Sequence, residues 1–354
     1  MAWLKTVDER GAMLADHDTG RLEELAAGLA GAKYCVLTES AFDGLAMAMG
    51  ICGIGSGDEV LCSPLAGRHV HLALRSLEAI PVYVDINPNS LNIDPFCLDY
   101  ILRKRRREKA EPPKLLVASD QFGLPCNYGE LEAMCQKNGF GLIEDMESGF
   151  GGSFRGRPAG GFGRFAVASI LGDSESGSDG AVFCREPGDA ETLRSLREDS
   201  GVRQVLHGLA APDPGDGLVQ GTHLEKRLME APKAAAQRQI IAGMYREKLK
   251  GHVRYQEAGT CGSAYTRFAV LLKDGAEKKA VTDAFLRERI PCIETSLAYT
   301  FSDGKKGDWG RAILANAEHI AKKLFLLPMH QYLTENVVSY ICDILIAELG
   351  ASDI

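Results

Sequence analysis

The sequence has no long apolar run, no excess of positive charge and no closely spaced cysteine pair. No stretch approaches the roughly 20 consecutive apolar residues of a membrane-spanning helix, so no membrane anchor is expected. Residues 1–14 carry charges throughout, unlike a secretory signal. The 40 lysines and arginines are outnumbered by 48 acidic residues, and the net charge of −8 argues against nucleic acid as a partner. We therefore expect a cytoplasmic protein that binds neither membranes nor nucleic acid.

The cysteines and histidines do not form a recognisable reactive or metal-binding pattern. Ten cysteines are scattered over 354 residues without a CxxC pair, which is typical of small buried apolar residues in a reducing compartment. His69 and His71 are two residues apart, and no third ligand follows at a metal-site spacing, so no metal is expected. Cys62 lies near His69 in the chain, but no acid stands at a spacing that would orient the histidine, so a nucleophile–base pair is not favoured.

Strand-like and helix-like segments alternate along the first two-thirds of the chain, which predicts an α/β fold. Strands are predicted at 34–37, 59–62, 81–85, 114–118, 141–143, 165–170 and 181–184, and helices at 42–52, 68–78, 95–104 and 128–137. Short turns between them predict a mostly parallel sheet between helices. After a long helix at 225–249, a strand is predicted at 265–272 and helices at 278–288, 312–324 and 334–349. The length favours two domains, a large one at 1–225 and a small C-terminal α+β domain at 226–354.

Polar residues follow the predicted strands and would line the crevice at their carboxyl ends, where ligands of such sheets bind. Asp145 is the most informative of them, because it ends an apolar strand and precedes a glycine-rich stretch at 149–163. An acid facing this crevice needs a cationic partner if it is buried. A turn-capping aspartate explains the same pattern, and the residue alone leaves both interpretations open.

Two conspicuous motifs have simple structural interpretations. The segment Gly53–Glu59 contains three glycines but precedes a strand, whereas a dinucleotide-binding loop must follow one, so it is interpreted as a helix stop and turn. The basic run 103–107 stands at the predicted end of a helix, where cations complement the dipole, and is interpreted as a solvated helix end.

Six segments, in order along nearly the whole chain, are similar to motifs of the DegT/DnrJ/StrS sugar-nucleotide aminotransferases. They are Gly53–Val60 (GIGPGDEV in the family), Pro81–Asp94 (PVFVDID and LNID), Asp120–Pro125 (HLYGQP, with Asp120 at the histidine), Leu142–Gly151 (VIEDAAQAHG), Gly163–Ser169 (GDAACFS) and Asn316–Glu335 (NAE, LPLHP and LTEE). The resemblance implies the fold-type I architecture of enzymes that use pyridoxal phosphate (PLP). It also implies a homodimer, since family sites are completed across the subunit interface, and a nucleotide-sugar ligand.

The resemblance also assigns roles to individual residues, and several of them depart from the family pattern. Asp145 corresponds to the aspartate that pairs with the ring nitrogen of PLP, and Ser169 to a serine that contacts its phosphate. The remaining positions are Ser148 at a glutamine, Ala41 and Phe42 at the phosphate-binding Gly-Thr pair with Ser40 as a partial substitute, Gly67 at the aromatic that stacks on the ring, and His223 at an asparagine that reaches the partner's phosphate.

The lysine that forms the Schiff base in this family corresponds to Ser174, and no lysine occurs between Lys137 and Lys226. Related sugar 3-dehydratases have histidine there, and this chain has none nearby. Covalent attachment of PLP is therefore not expected, and the cofactor could be absent. Three hypotheses follow. The first is a degenerate member without transaminase activity, keeping a nucleotide-sugar pocket or pairing with an active paralogue. The others are an enzyme using Asp145, Ser174, His69 and His71 for different chemistry, and an aminotransferase whose lysine comes from elsewhere.

Overall fold

The computed structural model describes residues 16–146, 150–170, 180–199, 201–202, 221–259, 261–292 and 314–351. The helices are α1 (Asp16–Ala30), α2 (Ala41–Ile51), α3 (Arg68–Ser76), α4 (Pro95–Glu108), α5 (Tyr128–Asn138), α6 (Pro187–Glu198), α7 (Gly221–Leu249), α8 (Gly275–Arg287), α9 (Ala315–Ala321) and α10 (Glu335–Ala351). The strands are β1 (Tyr34–Thr38), β2 (Glu59–Cys62), β3 (Ile80–Tyr83), β4 (Leu115–Ser119), β5 (Gly141–Asp145), β6 (Ser153–Phe154), β7 (Arg157–Pro158), β8 (Phe165–Ser169), β9 (Gly180–Cys184), β10 (Arg254–Tyr255), β11 (Cys261–Gly262), β12 (Phe268–Leu271) and β13 (Leu324–Leu327).

The central sheet has seven strands in the order β1-β9-β8-β5-β4-β2-β3. The pairs β8–β5, β5–β4, β4–β2 and β2–β3 are parallel, whereas β9 runs antiparallel to both β8 and β1. The predicted α/β fold with a mostly parallel sheet is thus confirmed. Within this sheet the register places Ser119, the last residue of β4, beside Asp145, the last residue of β5.

Both faces of the central strands are buried, which explains their continuous apolar sequences. Successive residues of β4 alternate between two hydrophobic cores: Leu115 and Val117 pack with α2 and α3, and Leu116 and Ala118 pack with α4 and α5. A further core beneath α1 includes Leu22. Helices thus cover the sheet on both sides and leave the carboxyl ends of the parallel strands as the place where polar side chains converge.

Helix α7 links the central sheet to a separate C-terminal core. Near its start, Leu224 and Leu228 pack in the core beneath α1, and near its end Tyr245 packs among residues of β12, α8, β13 and α10. Pro232 lies inside the helix between these two contacts. The second core surrounds the antiparallel sheet β10-β12-β13, while the short strand β11 pairs with β6 of the N-terminal part.

Several element predictions were wrong. Helices α1 and α6 were not predicted, and β6 and β7 lie in the glycine-rich stretch 149–163, where no strand was predicted. The helix predicted at 312–324 is the shorter α9 followed by β13, because the apolar run Leu324–Leu327 pairs with β12. Among the described residues, no helix combines the length and apolar character needed to cross a membrane.

Candidate functional site

The site is built around Asp145, which is only 2% exposed at the carboxyl end of β5. Its Oδ1 lies 2.9 Å from Nε2 of His69, and its Oδ2 accepts a hydrogen bond of 2.6 Å from the Ser119 hydroxyl. Both partners are themselves buried. The three residues are called the Asp145 cluster below. Each carboxylate oxygen in it has a short contact with a side chain of this chain.

The position of His69 follows from where α3 begins. Gly67 precedes the helix in extended conformation, and His69 is the second helical residue, so its imidazole points inward beside buried Val70. His71 lies on a different face of α3, half-buried, with Nδ1 3.5 Å from the Tyr83 hydroxyl. Residues two apart on a helix point to different faces, which explains why the two histidines do not converge.

Two neighbouring carboxyls share the carboxyl ends of β4 and β5 but differ from Asp145 in their partners. Burial raises the pKa of Asp120 to about 8, against the hydrogen bonds donated by the Tyr128 hydroxyl and the Cys126 amide. Burial also raises the pKa of Glu144 well above its usual value, although the amides of residues 160 and 162 donate to its two oxygens. These acids are stabilised by neutral donors, whereas Asp145 has an imidazole that can carry a positive charge.

The start of α2, where the resemblance places the cofactor phosphate, is occupied by a cap formed within the chain. Ser40 caps the helix by accepting from the Asp43 amide at 3.1 Å, and its hydroxyl donates to the Asp43 carboxylate at 2.6 Å. Asp43 is 9% exposed, and its negative charge complements the helix N-terminus. Ala41 and Phe42 are each 5% exposed and pack in the core of the sheet. The Ser40 hydroxyl and the Asp43 carboxylate are thus hydrogen-bonded to each other at the helix start to which the resemblance assigns the phosphate.

Of the other residues assigned by the resemblance, the structure describes some and not others. Ser169 ends β8, is nearly buried and pairs in register with Gly180 of β9. Gly67 presents no ring for stacking. His223 lies in the first turn of α7, but its side chain is outside the described residues, as are Ser148 and Ser174 entirely.

The residues described do not fit PLP in the way the resemblance implies. Asp145 is present, but its oxygens are held by His69 and Ser119, and the start of α2 is capped by Ser40 and Asp43. The stacking position is Gly67. A bound cofactor would have to displace or share the contacts of Asp145 and those of the Ser40–Asp43 cap. It would also lack an aromatic side chain to stack on.

Other candidates from the sequence take structural roles. Burial raises the pKa of the Cys62 thiol to about 12, so this cysteine is not a nucleophile near neutral pH. Across the described ranges, no three His, Cys, Asp or Glu side chains are grouped to hold a metal ion. The basic run was interpreted as solvated throughout, which is wrong for Arg105: it is 3% exposed and pairs with Glu59 at 2.6 Å. The turn interpretation of the glycine segment is confirmed, with Gly53 and Gly57 in left-handed conformation after α2.

Sequence reasoning identified Asp145 but missed both side chains that bind it. His69 was set aside because no acid stands near it in the chain, yet the acid comes from β5, 76 residues away. Ser119 carried a usable signal, because it ends the strand predicted beside the one that ends at Asp145. Parallel neighbours bring such strand ends together.

Comparisons with known proteins agree with this architecture. The model of the DegT/DnrJ/EryC1/StrS aminotransferase family matches residues 2–346. UDP-2-acetamido-2-deoxy-3-oxo-D-glucuronate aminotransferase of Pseudomonas aeruginosa is 24% identical over 349 residues, which are 96% of this chain and 93% of the relative.

Solved structures of sugar aminotransferases share the fold. An aminotransferase of the same family from Brucella abortus superposes with a TM-score of 0.80 at 22% identity, covering 94% of this chain and 90% of that chain. A putative sugar aminotransferase from Streptococcus pneumoniae in its PLP form superposes with a TM-score of 0.79 at 16% identity, covering 96% and 93%. With its mostly parallel seven-stranded sheet and a family match along nearly its full length, the chain belongs to the DegT/DnrJ/EryC1/StrS aminotransferase family, of fold type I.

Proposed function

We propose that this chain is a degenerate member of the family that does not carry out ordinary transamination. The observation that carries the proposal is the absence of lysine from residues 138–225. That interval includes the connection from β8 to β9, where the resemblance places the Schiff-base lysine at Ser174. The connection 171–179 instead carries three acidic residues and no basic one.

The chemistry explains why this one change matters. Transamination needs an amine that forms an imine with the cofactor and then moves a proton. A serine hydroxyl forms no stable imine and is not a base near neutral pH. Loss of a covalent catalyst and a general base together costs well over ~10³-fold in rate. The missing stacking ring at Gly67 and the missing phosphate-binding threonine at Phe42 act in the same direction.

A nucleotide-sugar ligand and a two-fold dimer are part of the same proposal. The P. aeruginosa relative is named for a UDP-linked sugar, and its length is matched almost completely. In this family the resemblance implies a site completed by a second subunit, so the partner would be another copy of this chain or an active paralogue. Size-exclusion chromatography with light scattering distinguishes a monomer from a dimer directly.

One contact favours a second candidate function, an enzyme that uses the same crevice for other chemistry. Asp145 orients the imidazole of His69, as an acid orients a catalytic histidine in many hydrolytic and proton-transfer sites. A general base of this kind would act on a nucleotide sugar without a cofactor amine. His71, the other histidine considered from the sequence, lies with its Nδ1 3.5 Å from the Tyr83 hydroxyl.

Covalent trapping tests the main proposal. The purified chain is incubated with PLP, reduced with borohydride and mapped by peptide mass spectrometry beside an active aminotransferase treated identically. We expect no stoichiometric adduct on any single lysine and no internal-aldimine absorption band. A single lysine labelled to completion, together with amino transfer to a keto sugar nucleotide, would contradict the proposal.

A further inference from the structure

The contacts of Asp145 raise a question that the missing lysine does not answer, namely whether PLP can enter this site at all. A buried carboxylate is costly unless a cation and hydrogen bonds compensate it. In the family, the resemblance assigns this role to the protonated ring nitrogen of the cofactor. In this chain a side chain supplies the same group, because Nε2 of His69 lies 2.9 Å from Oδ1.

An imidazole and a protonated pyridine ring can make the same contact in this position. Each is a flat aromatic heterocycle that can present an N–H in its plane to a carboxylate and can carry a positive charge. The Ser119 hydroxyl satisfies the second oxygen of Asp145 at 2.6 Å. The carboxylate therefore already has an aromatic N–H and a hydroxyl as partners, both from this chain.

We propose that the His69 imidazole takes the place at Asp145 of the cofactor's ring nitrogen, and thereby closes the site to PLP. The proposal deepens the proposed function: loss of the lysine removes covalent attachment, and the imidazole removes noncovalent binding as well.

One short segment carries both a departure from the family pattern and the contact with Asp145. Residues 67–69 form the entry to α3, where Gly67 stands at the position of the stacking aromatic and His69 turns inward to Asp145. The ring that would stack on the cofactor is absent, and a different ring stands against the acid. The start of α2, to which the resemblance assigns the cofactor phosphate, already carries the Asp43 carboxylate, and a second anion close to it would be disfavoured.

The test compares PLP binding by the wild-type chain and by His69→Ala, measured by difference absorbance and by the shift in melting temperature. We expect no saturable PLP binding to the wild type. His69→Ala should bind PLP at least about tenfold tighter than the weakest binding the assay would detect for the wild type, since Asp145 becomes available for an ionic hydrogen bond. Imidazole added to the buffer should raise the melting temperature of His69→Ala, compete with PLP, and leave the wild type unchanged. His71→Ala is the matched control and should behave as the wild type.

Each result decides the matter. Saturable, noncovalent PLP binding by the wild-type chain overturns the proposal, and this arm does not depend on whether any variant folds. A folded His69→Ala protein that binds no more PLP than the wild type also overturns it, because the contact is then not what closes the site. Failure of the proposed function looks different, since it requires a reducible lysine adduct and amino transfer by the wild type. The Ser174→Lys substitution separates the two proposals further. If an aldimine forms only in the double variant Ser174→Lys, His69→Ala, both proposals are supported. If it forms in Ser174→Lys with His69 in place, only the proposal that His69 excludes PLP is overturned.

Discussion

Replacing Asp120 with asparagine should change how the stability of this protein depends on pH. Asp120 is 2% exposed, its Oδ1 accepts from Tyr128 and Cys126, and its Oδ2 has no hydrogen-bond partner within the described structure. Burial raises its pKa from 3.8 to about 8. The folded chain thus keeps a proton that the unfolded chain loses above its ordinary pKa.

The sign and size follow from that difference. A raised folded-state pKa contributes stability that is fully present below the unfolded pKa and is lost as the pH rises toward about 8. Each pH unit within this window is worth about 1.4 kcal/mol per proton, so the contribution falls by roughly 3 kcal/mol between about pH 5 and pH 7. Asp120→Asn keeps the acceptor for Tyr128 and cannot ionise, so its stability should lack this slope.

Urea unfolding at a series of pH values measures the effect as the difference in free energy of unfolding between wild type and Asp120→Asn. Glu144 also has a raised pKa. Its main cause, burial, is present in both proteins, whereas the smaller contribution from the Asp120 charge is lost in the variant. The exposed Asp283 on α8 provides the control, because Asp283→Asn should follow the wild-type curve. Parallel curves for wild type and Asp120→Asn would refute the reasoning, since Asp120 would then be ionised in the folded protein.

Two further substitutions test the packing of the chain. Arg105→Ala should lower the free energy of unfolding by about 3 kcal/mol, because it removes a buried cation paired with Glu59 at 2.6 Å. Arg103 is exposed, so Arg103→Ala should cost less than ~1 kcal/mol, and equal losses for the two variants in chemical denaturation would contradict the prediction. Gly180→Ala should lower the melting temperature strongly or prevent folding, because the new Cβ would lie 2.1 Å from a backbone carbonyl oxygen. The Cβ of Gly188→Ala would meet nothing within 4 Å, so this control should be tolerated. Similar melting temperatures for the two variants would contradict the close approach at Gly180.

The parallel part of the sheet was predictable because its central strands are apolar on both faces and because β2, β3 and β4 are each followed by a helix. The end of β4 at Ser119 and of β5 at Asp145 were placed within two residues by the same pattern. Strand β13 was not predictable in this way, since its four apolar residues follow a helix directly and only pairing with β12 makes them a strand. A division of the chain near residue 225 remains a proposal.

The site was predictable only where chemistry and position along a strand agree. Asp145 met both conditions. The partnership of His69 with it did not, because a contact across 76 residues depends on how α3 is set against the sheet. Arg105 shows the same limit, since its basic neighbours gave no sign that one guanidinium of the run turns inward to Glu59.

Helix α7 contains one turn that is weaker than the rest. Its first turns are anchored through Leu228 under α1 and its last turns through Tyr245 in the C-terminal core. Pro232 has no amide hydrogen to donate to the Leu228 carbonyl, and its ring crowds that turn. Helix α7 is therefore least stable in the turn that follows Leu228. Local opening of α7 is therefore expected first in this turn, far in sequence from Asp145.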